Sequence, residues 1–197
     1  MTRTFSRLAA STAVAAGLVL SAGATAHAEG THVKDKASDV GLVPDIRSDA
    51  YDVLGYQASI DSGIDLRGMR VNHGSTTVTL RLKFAQLGPE TNVSMQFRSN
   101  GRREVTHYLL SVSKRRAIVL DPEASDTCSV PLKTRTGRKG ILRATIKRSC
   151  LGNPDRIKVQ GGVFSGDLAS EQGALHVDPI SNTQVRAPSW TRWLTSG

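Results

Sequence analysis

The sequence has few cysteines, few aromatic residues and none of the common catalytic motifs. Two of its 197 residues are cysteine and 5% are aromatic. Two cysteines are too few for a disulfide-rich miniprotein. No H-E-x-x-H zinc motif, P-loop, G-x-G-x-x-G or G-x-S-x-G motif occurs. The hydrophobic share of 39% is too high for a disordered chain, and the charged share of 22% is too high for a membrane protein. The length allows one globular domain or two small ones.

The first 28 residues have the organisation of a secretory signal peptide. Arg3 and Arg7 precede an uncharged run from Leu8 to Ala24, and Ala26-His27-Ala28 is a small-residue cleavage site. A membrane anchor is the alternative, but it would need about 20 strongly apolar residues. We therefore expect a secreted, extracellular protein with no membrane span after cleavage, beginning at Glu29. Removal of residues 1–28 lowers the formal charge from +9 to +7.

Both cysteines, Cys128 and Cys150, fall in the exported part of the chain. An oxidising compartment favours a disulfide between them. A nucleophilic or metal-binding cysteine is the alternative, but no C-x-x-C motif is present.

Alternating hydrophobicity predicts an all-β protein. In Thr77 to Ala85, apolar residues at 78, 80, 82 and 84 alternate with polar ones, which is typical of a half-buried strand. Asn100-Gly101 predicts a tight hairpin, because both turn residues need positive φ. Further strands are predicted at 92–98, 103–112, 116–120, 128–135, 141–148 and 157–164, with a hairpin loop at Gly137–Gly140. We expect an antiparallel β-sandwich, jelly-roll-like, over residues 61–197. Residues 29–60 are predicted to be a flexible leader ending in an edge strand or loop.

Several short motifs occur in a particular order along the chain. Asp65-Leu66 precedes a strand ending Val71-Asn72-His73, and Ile146 to Pro154 reads I-K-R-S-C-L-G-N-P. A late Asp178 and the tail Ala187-Pro188-Ser189-Trp190 follow. With these landmarks, residues 61–193 resemble a group of secreted, Arg-rich β-sandwich proteins of actinobacteria. The strand order is also similar to DOMON-type and carbohydrate-binding sandwiches, a likeness of fold only.

The resemblance implies a fold and export, and it implies no activity. Lys147 stands where the group has proline before Arg-Ser-Cys. Asp155-Arg156 replaces a basic-aromatic pair, and no Asp occurs between Leu132 and Gly137. These departures bear on any ligand that those positions bind in the group.

Candidate chemical residues are scattered. His107 is expected to be a core or interface histidine, and His73 a turn residue, since histidine tolerates left-handed φ. Aspartates cluster at 45, 49, 52, 61 and 65, and the segment Asp61-Ser62-Gly63-Ile64-Asp65 could supply carboxylates to Ca²⁺. Solvated Asx-turns are the preferred interpretation, so no metal site and no cofactor are predicted.

Basic residues are the most distinctive feature. The interval between Asp126 and Asp155 contains no acid and seven lysines and arginines. Such a field could attract polyanions. A solvated strand face is the alternative interpretation, because Arg143 and Lys147 alternate with apolar residues. The candidate polyanion-binding residues are Arg102, Arg103, Lys114, Arg115, Arg116, Arg138 and Lys139.

We therefore expect a secreted, non-catalytic binding module, with an anionic cell-wall polymer or another extracellular polyanion as its partner. A hydrolase acting on cell-wall or extracellular polymers is the alternative from a different class, and an accessory secreted protein is a third. Neutral-sugar binding has thin support from Trp190 and Trp193, since such sites use aromatic platforms.

Overall fold

The computed structural model describes residues 28–44, 51–100, 104–123, 126–166, 174–181 and 188–197. The described residues form antiparallel strands, one short helix and one 3₁₀ turn. The predicted signal peptide up to His27, and the Asn100-Gly101 hairpin beyond Asn100, lie outside them. The elements are β1 (Glu29–Lys34), β2 (Gly41–Val43), β3 (Asp52–Val53), α1 (Tyr56–Asp61), β4 (Leu66–His73), β5 (Thr77–Phe84), β6 (Gln86–Leu87), β7 (Asn92–Ser99), β8 (Val105–Ser113), β9 (Arg116–Leu120), β10 (Asp126–Arg135), β11 (Gly137–Arg138), β12 (Ile141–Lys147), the 3₁₀ turn (Arg148–Leu151), β13 (Arg156–Ser165), β14 (Leu175–Pro179) and β15 (Leu194–Thr195).

One long strand, β10, joins the two halves of a curled sheet. Its residues Leu132–Arg135 pair with β12, whereas its earlier residues pair with β9. The strand order is β1-β4-β5-β12-β10-β9-β8-β7-β13-β14-β2-β3, and β15 pairs with β13. Every pairing among the described strands is antiparallel. The antiparallel all-β prediction is confirmed.

The curl lets both halves contribute to a single hydrophobic core. Leu82 and Leu142 come from one half, and Phe97, Leu109 and Val159 from the other, all with at most 1% of their surface exposed. The predicted alternation along β5 and β7 is confirmed. Burial of each large apolar side chain in this way stabilises the folded state by roughly 1.5–3 kcal/mol.

Three strands of the sheet, β1, β2 and β3, lie within the described part of residues 29–60, which corrects the prediction of a flexible leader. Six residues from Glu29 pair with β4 in register, and β2 pairs with β14. The sequence EGTHVK has only one strongly apolar residue, so its strand forms through pairing with β4 rather than through its own hydrophobic pattern. The division into domains stays a prediction.

The C-terminal tail packs back onto β13. Leu194 and Thr195 pair with Ile157 and Arg156. The Trp190 ring lies 4.9 Å from the Arg98 guanidinium and 5.2 Å from the Lys158 ammonium. Cations over the ring faces stabilise this packing and occupy surfaces that a sugar platform would present.

His73 is a buried strand residue, which corrects the prediction of a turn with left-handed φ. It ends β4 with 0% of its surface exposed. Positive φ among the described non-glycine residues occurs at Ser38, Lys139 and Asn153 instead. The His73 Nδ1 lies 3.0 Å from the Leu194 carbonyl, so the imidazole donates a hydrogen bond that ties the tail to β4.

Neutral His73 gives a testable dependence of stability on pH. Burial lowers the pKa of His73, so below about pH 6.5 the unfolded chain binds a proton that the folded chain does not. The unfolding free energy of the wild type, minus that of His73→Asn, should therefore fall with pH below that point, by at most about 1.4 kcal/mol per pH unit. Urea unfolding between pH 7.5 and 5 measures it, and a difference that does not change with pH would contradict the buried neutral imidazole.

The disulfide predicted between Cys128 and Cys150 is present. It joins β10 to the 3₁₀ turn after β12, across 22 positions of the chain. Arg148 holds the same turn, because its guanidinium donates to the carbonyls of Ser75 and Pro154, each at 2.7 Å.

Loss of the bridge should destabilise the protein by about 3 kcal/mol, since an open 22-residue loop gives the unfolded chain more freedom. Chemical denaturation of the Cys128→Ser/Cys150→Ser double variant measures this. A free energy of unfolding equal to that of the wild type would show that the bridge adds nothing to the sheet.

Candidate functional site

Four basic side chains lie opposite one another across four adjacent strands. Arg70 on β4 pairs with Arg81 on β5, Arg81 pairs with Arg143 on β12, and Arg143 pairs with Lys133 on β10. Directly opposed residues have Cβ atoms about 4.5–5.5 Å apart. We call these four residues the basic ladder.

The pleat places the basic ladder on the outer face of the sheet. Leu80 and Leu82 flank Arg81 and are buried, as are Leu142 and Ala144 around Arg143. Successive side chains of a strand point to opposite faces, so the basic residues point away from the core. Arg81 is half-buried, and its Nε is buried with no hydrogen-bond partner in the described part of the chain.

Further cations surround the basic ladder. Lys83 lies two residues beyond Arg81 on β5, and Arg135 two beyond Lys133 on β10, so both share its face. His32 on β1 pairs with Arg70. Partial burial, and after it the charges of Lys83 and Arg70, lower the pKa of His32. The shift reflects a positive potential that disfavours one more proton here.

A groove of about 600 Å³ runs over this face. Its lining contains guanidinium, ammonium, amide and hydroxyl groups, which are hydrogen-bond donors suited to anions. No acidic residue is among the described residues that line it. They are Arg70, Asn72, Thr79, Leu80, Arg81, Pro131, Lys133, Arg143, Ala144 and Thr145.

The described residues that were predicted to bind polyanions lie in two regions, at the β8–β9 turn with the start of β9, and in β11 with the residue after it. Lys114 and Arg115 form the β8–β9 turn, and the Lys114 Nζ pairs with the Glu90 carboxylate at 2.8 Å. Arg116 pairs with Pro131, which lines the groove, so it extends the face of the basic ladder.

The other predicted residues lie away from that pairing. Arg138 is in β11, paired with Gln86 of β6, and Lys139 follows it with φ of 52°. Both are exposed. Arg102 and Arg103 lie outside the described residues.

Arg70 and Arg81 were not identified as candidate binding residues from the sequence, and a solvated strand face was offered as an interpretation of Arg143. Charged residues on an exposed edge strand can prevent aggregation through that edge. This does not explain the basic ladder, because β5 and β12 lie between other strands of the sheet. Like charges directly opposite one another destabilise a sheet. The basic ladder contains three such contacts in succession.

The repulsion gives a measurable prediction. Arg143 has a cation on each side, so Arg143→Thr should raise the free energy of unfolding by about 1 kcal/mol at low salt, and by less in 1 M NaCl. Urea unfolding at both salt concentrations measures this. Lys147→Thr is the matched control, since Lys147 is exposed on the same strand opposite Thr77. An equal effect of the two variants would show that the ladder is not repulsive.

A second cluster consists of buried carboxylates where the chain passes from β1 to β2 and along β14. One oxygen each of Asp35, Asp39 and Asp178 lies within 4.8 Å of the other two. Asp39 is 3% exposed and Asp178 0%. Among the described residues, these three could hold a metal ion. The nearby Asp65 is also buried, and Arg67 neutralises it at 2.6 Å.

Burial dominates the electrostatics of this cluster. It raises the pKa values of Asp35 and Asp178 well above the usual range, and that of Asp39 to about 6. The neighbouring carboxylates raise all three further, because like charges in a low-dielectric site disfavour ionisation.

Of the carboxylates considered for Ca²⁺ from the sequence, Asp65 lies beside this cluster, but it is not one of the three that meet. Asp61 is exposed and accepts a hydrogen bond from Gln57, and Asp52 is exposed on β3. Asp45 and Asp49 lie outside the described residues. Asp35 and Asp178 come from opposite ends of the chain, and no local motif joins them. The prediction that the chain holds no metal stays a prediction.

His107 is buried, as expected for a core histidine. It borders a cavity of about 440 Å³ that is also lined by Ser99 and Asp155. Burial lowers its pKa, and its Nδ1 has no hydrogen-bond partner among the described residues. It is therefore a neutral side chain at physiological pH.

No protein-family model matches this sequence, and no curated protein or solved structure shows a significant similarity to it. The likeness to actinobacterial secreted proteins thus stays a prediction from the sequence motifs. In the described part of the chain, no helix is long and apolar enough to cross a membrane.

Proposed function

We propose that the protein is a secreted, non-catalytic module that binds an anionic polymer of the cell envelope through the face carrying the basic ladder. The observation that carries this proposal is the unbroken register of Arg70, Arg81, Arg143 and Lys133 across four strands. The sequence suggested the same partner chemistry but assigned it to the loops.

The size of the charged surface favours a polymer over a small anion. Four strands spaced about 4.8 Å apart place the outer two about 14 Å from each other. The groove follows this direction and offers donors from all four strands. A chain of phosphate or carboxylate groups can contact several of these cations at once, and the displaced counterions drive binding.

The ladder cations are available for such a ligand. None of the four forms an ion pair with a described residue. Arg98, Lys114 and Arg192, in contrast, are paired with Glu104, Glu90 and Glu29. A polyanion would replace water and small counterions at the ladder without breaking an existing salt bridge.

Export is the second part of the proposal. The signal-peptide pattern in residues 1–28 supports it, and so does the Cys128–Cys150 disulfide, because such bonds persist in oxidising compartments. An extracellular location would bring the basic face to the polymers of the envelope.

The test is retention of the purified protein on cell walls, with and without their teichoic acids, over a series of NaCl concentrations. Binding should require the teichoic acid and weaken steeply with salt. The double variant Arg81→Gln/Arg143→Gln should reduce the slope of log K against log salt by about 1.5, since each phosphate contact contributes about 0.7–0.9.

The exposed pair Arg138→Gln/Lys139→Gln is the matched control, because it removes the same charge from a loop. An unchanged slope in the ladder variant, with a reduced slope in the loop variant, would move the site to the loops. Equal binding of duplex DNA at the same salt would overturn the assignment to an envelope polymer. Release of soluble wall fragments by the protein would support the hydrolase alternative instead.

A further inference from the structure

Three carboxylates meet where the chain after β1 approaches β14. Asp35 accepts a hydrogen bond from the Ser181 N–H at 2.7 Å, and Asp178 accepts one from the Leu66 N–H at 2.6 Å. The Tyr51 hydroxyl donates to the Asp39 carbonyl at 2.8 Å. The three residues are therefore held in place by contacts with three other parts of the chain.

Each of the three carboxylates keeps one buried oxygen without a hydrogen-bond partner among the described residues. These atoms are Asp35 Oδ2, Asp39 Oδ1 and Asp178 Oδ1. Asp39 and Asp178 are more than nine-tenths buried. An unsatisfied carboxylate oxygen away from water is costly, and three in one place are more so because their charges repel.

We propose that Asp35, Asp39 and Asp178 bind one Ca²⁺ ion, which joins the segment after β1 to β14. This site is separate from the basic face, and the proposal does not depend on polymer binding.

The distances fit calcium. Ca²⁺ binds oxygen ligands at about 2.3–2.6 Å, so two ligands on opposite sides of the ion lie about 4.6–5.2 Å apart. One oxygen from each carboxylate lies within 4.8 Å of the others, so one Ca²⁺ ion could contact all three. All the donors are oxygens, which suits a hard cation. Ser38, beside Asp39, has a further buried Oγ without a partner in the described chain, so a neutral ligand is present in the same segment.

Shared protons are the competing explanation, because a carboxylic acid can donate to a neighbouring carboxylate. Such a pair would leave the protein indifferent to added Ca²⁺, which the titration below tests. No lysine or arginine pairs with any of the three within the described chain. A divalent cation supplies the missing positive charge and a ligand for all three oxygens.

The test is the thermal midpoint of the purified protein, first treated with a chelator and then titrated with CaCl₂ to about 10 mM, a range that covers typical extracellular sites. We expect Tm to rise by about 3–10 °C at ten to a hundred times Kd. Isothermal titration calorimetry should give one Ca²⁺ per chain. The same titration with MgCl₂ should give a smaller shift, because Mg²⁺ dehydrates reluctantly and demands stricter geometry.

Two substitutions locate the ion. Asp178→Asn keeps an oxygen for the Leu66 N–H but removes a charge. Asp39→Asn also removes a charge, and it leaves the hydrogen bond from the Tyr51 hydroxyl to the backbone carbonyl of residue 39 in place. Each should reduce the Ca²⁺ shift at 1 mM at least threefold. Asp52→Asn is the control, since Asp52 is exposed on β3, and it should keep the full shift.

Three results would overturn the proposal. They are no change in Tm up to 10 mM CaCl₂, a shift that persists fully in both cluster variants, or an equal or larger shift with Mg²⁺. The first would support shared protons, the second would place the ion elsewhere, and the third would assign the site to a smaller cation.

Discussion

The antiparallel register of β4, β5, β12 and β10 is the constraint on which both faces of this half of the sheet depend. With a side-chain period of two, a slip of one residue would move Leu82 and Leu142 to the solvent and the arginines to the core. Burial of the leucines therefore fixes the register, and the register in turn aligns Arg70, Arg81, Arg143 and Lys133. The basic ladder is thus held together by the core beneath it, against the repulsion of its own charges.

A second constraint acts where distant parts of the chain meet. Asp178 binds the backbone at the start of β4, Asp35 binds the backbone after β14, and the tail binds His73. The contacts of Asp178 and His73 are buried and that of Asp35 is partly buried, so each stabilises the protein more than a surface contact and costs more when left incomplete. They hold β14 and the tail against β4. The carboxylates of Asp35 and Asp178 also place acidic groups inside a protein whose basic ladder lies on the outside of the sheet.

The sequence predicted much of the fold. The strand at Arg116–Leu120 has the predicted bounds, and the alternation of β5 and β7 identified their buried residues. The disulfide followed from the number of cysteines and the predicted export. The strand β1 was not predicted from the sequence. It has one strongly apolar residue and therefore no hydrophobic pattern of its own, and it forms by pairing with β4. His73 was misassigned to a turn, since its neighbour Gly74 marks a turn and burial by the tail has no local signal.

Local patterns alone determined that this chain forms strands, which faces of those strands are apolar, and that it is rich in exposed cations. Those properties follow from the alternation of apolar and polar side chains along the sequence, so they can be predicted without a structure. Only the tertiary structure decided which cations stand side by side and which carboxylates meet. Arg70 and Arg143, like Asp35 and Asp178, are far apart in the chain, and their proximity depends on strand pairing across the whole sheet.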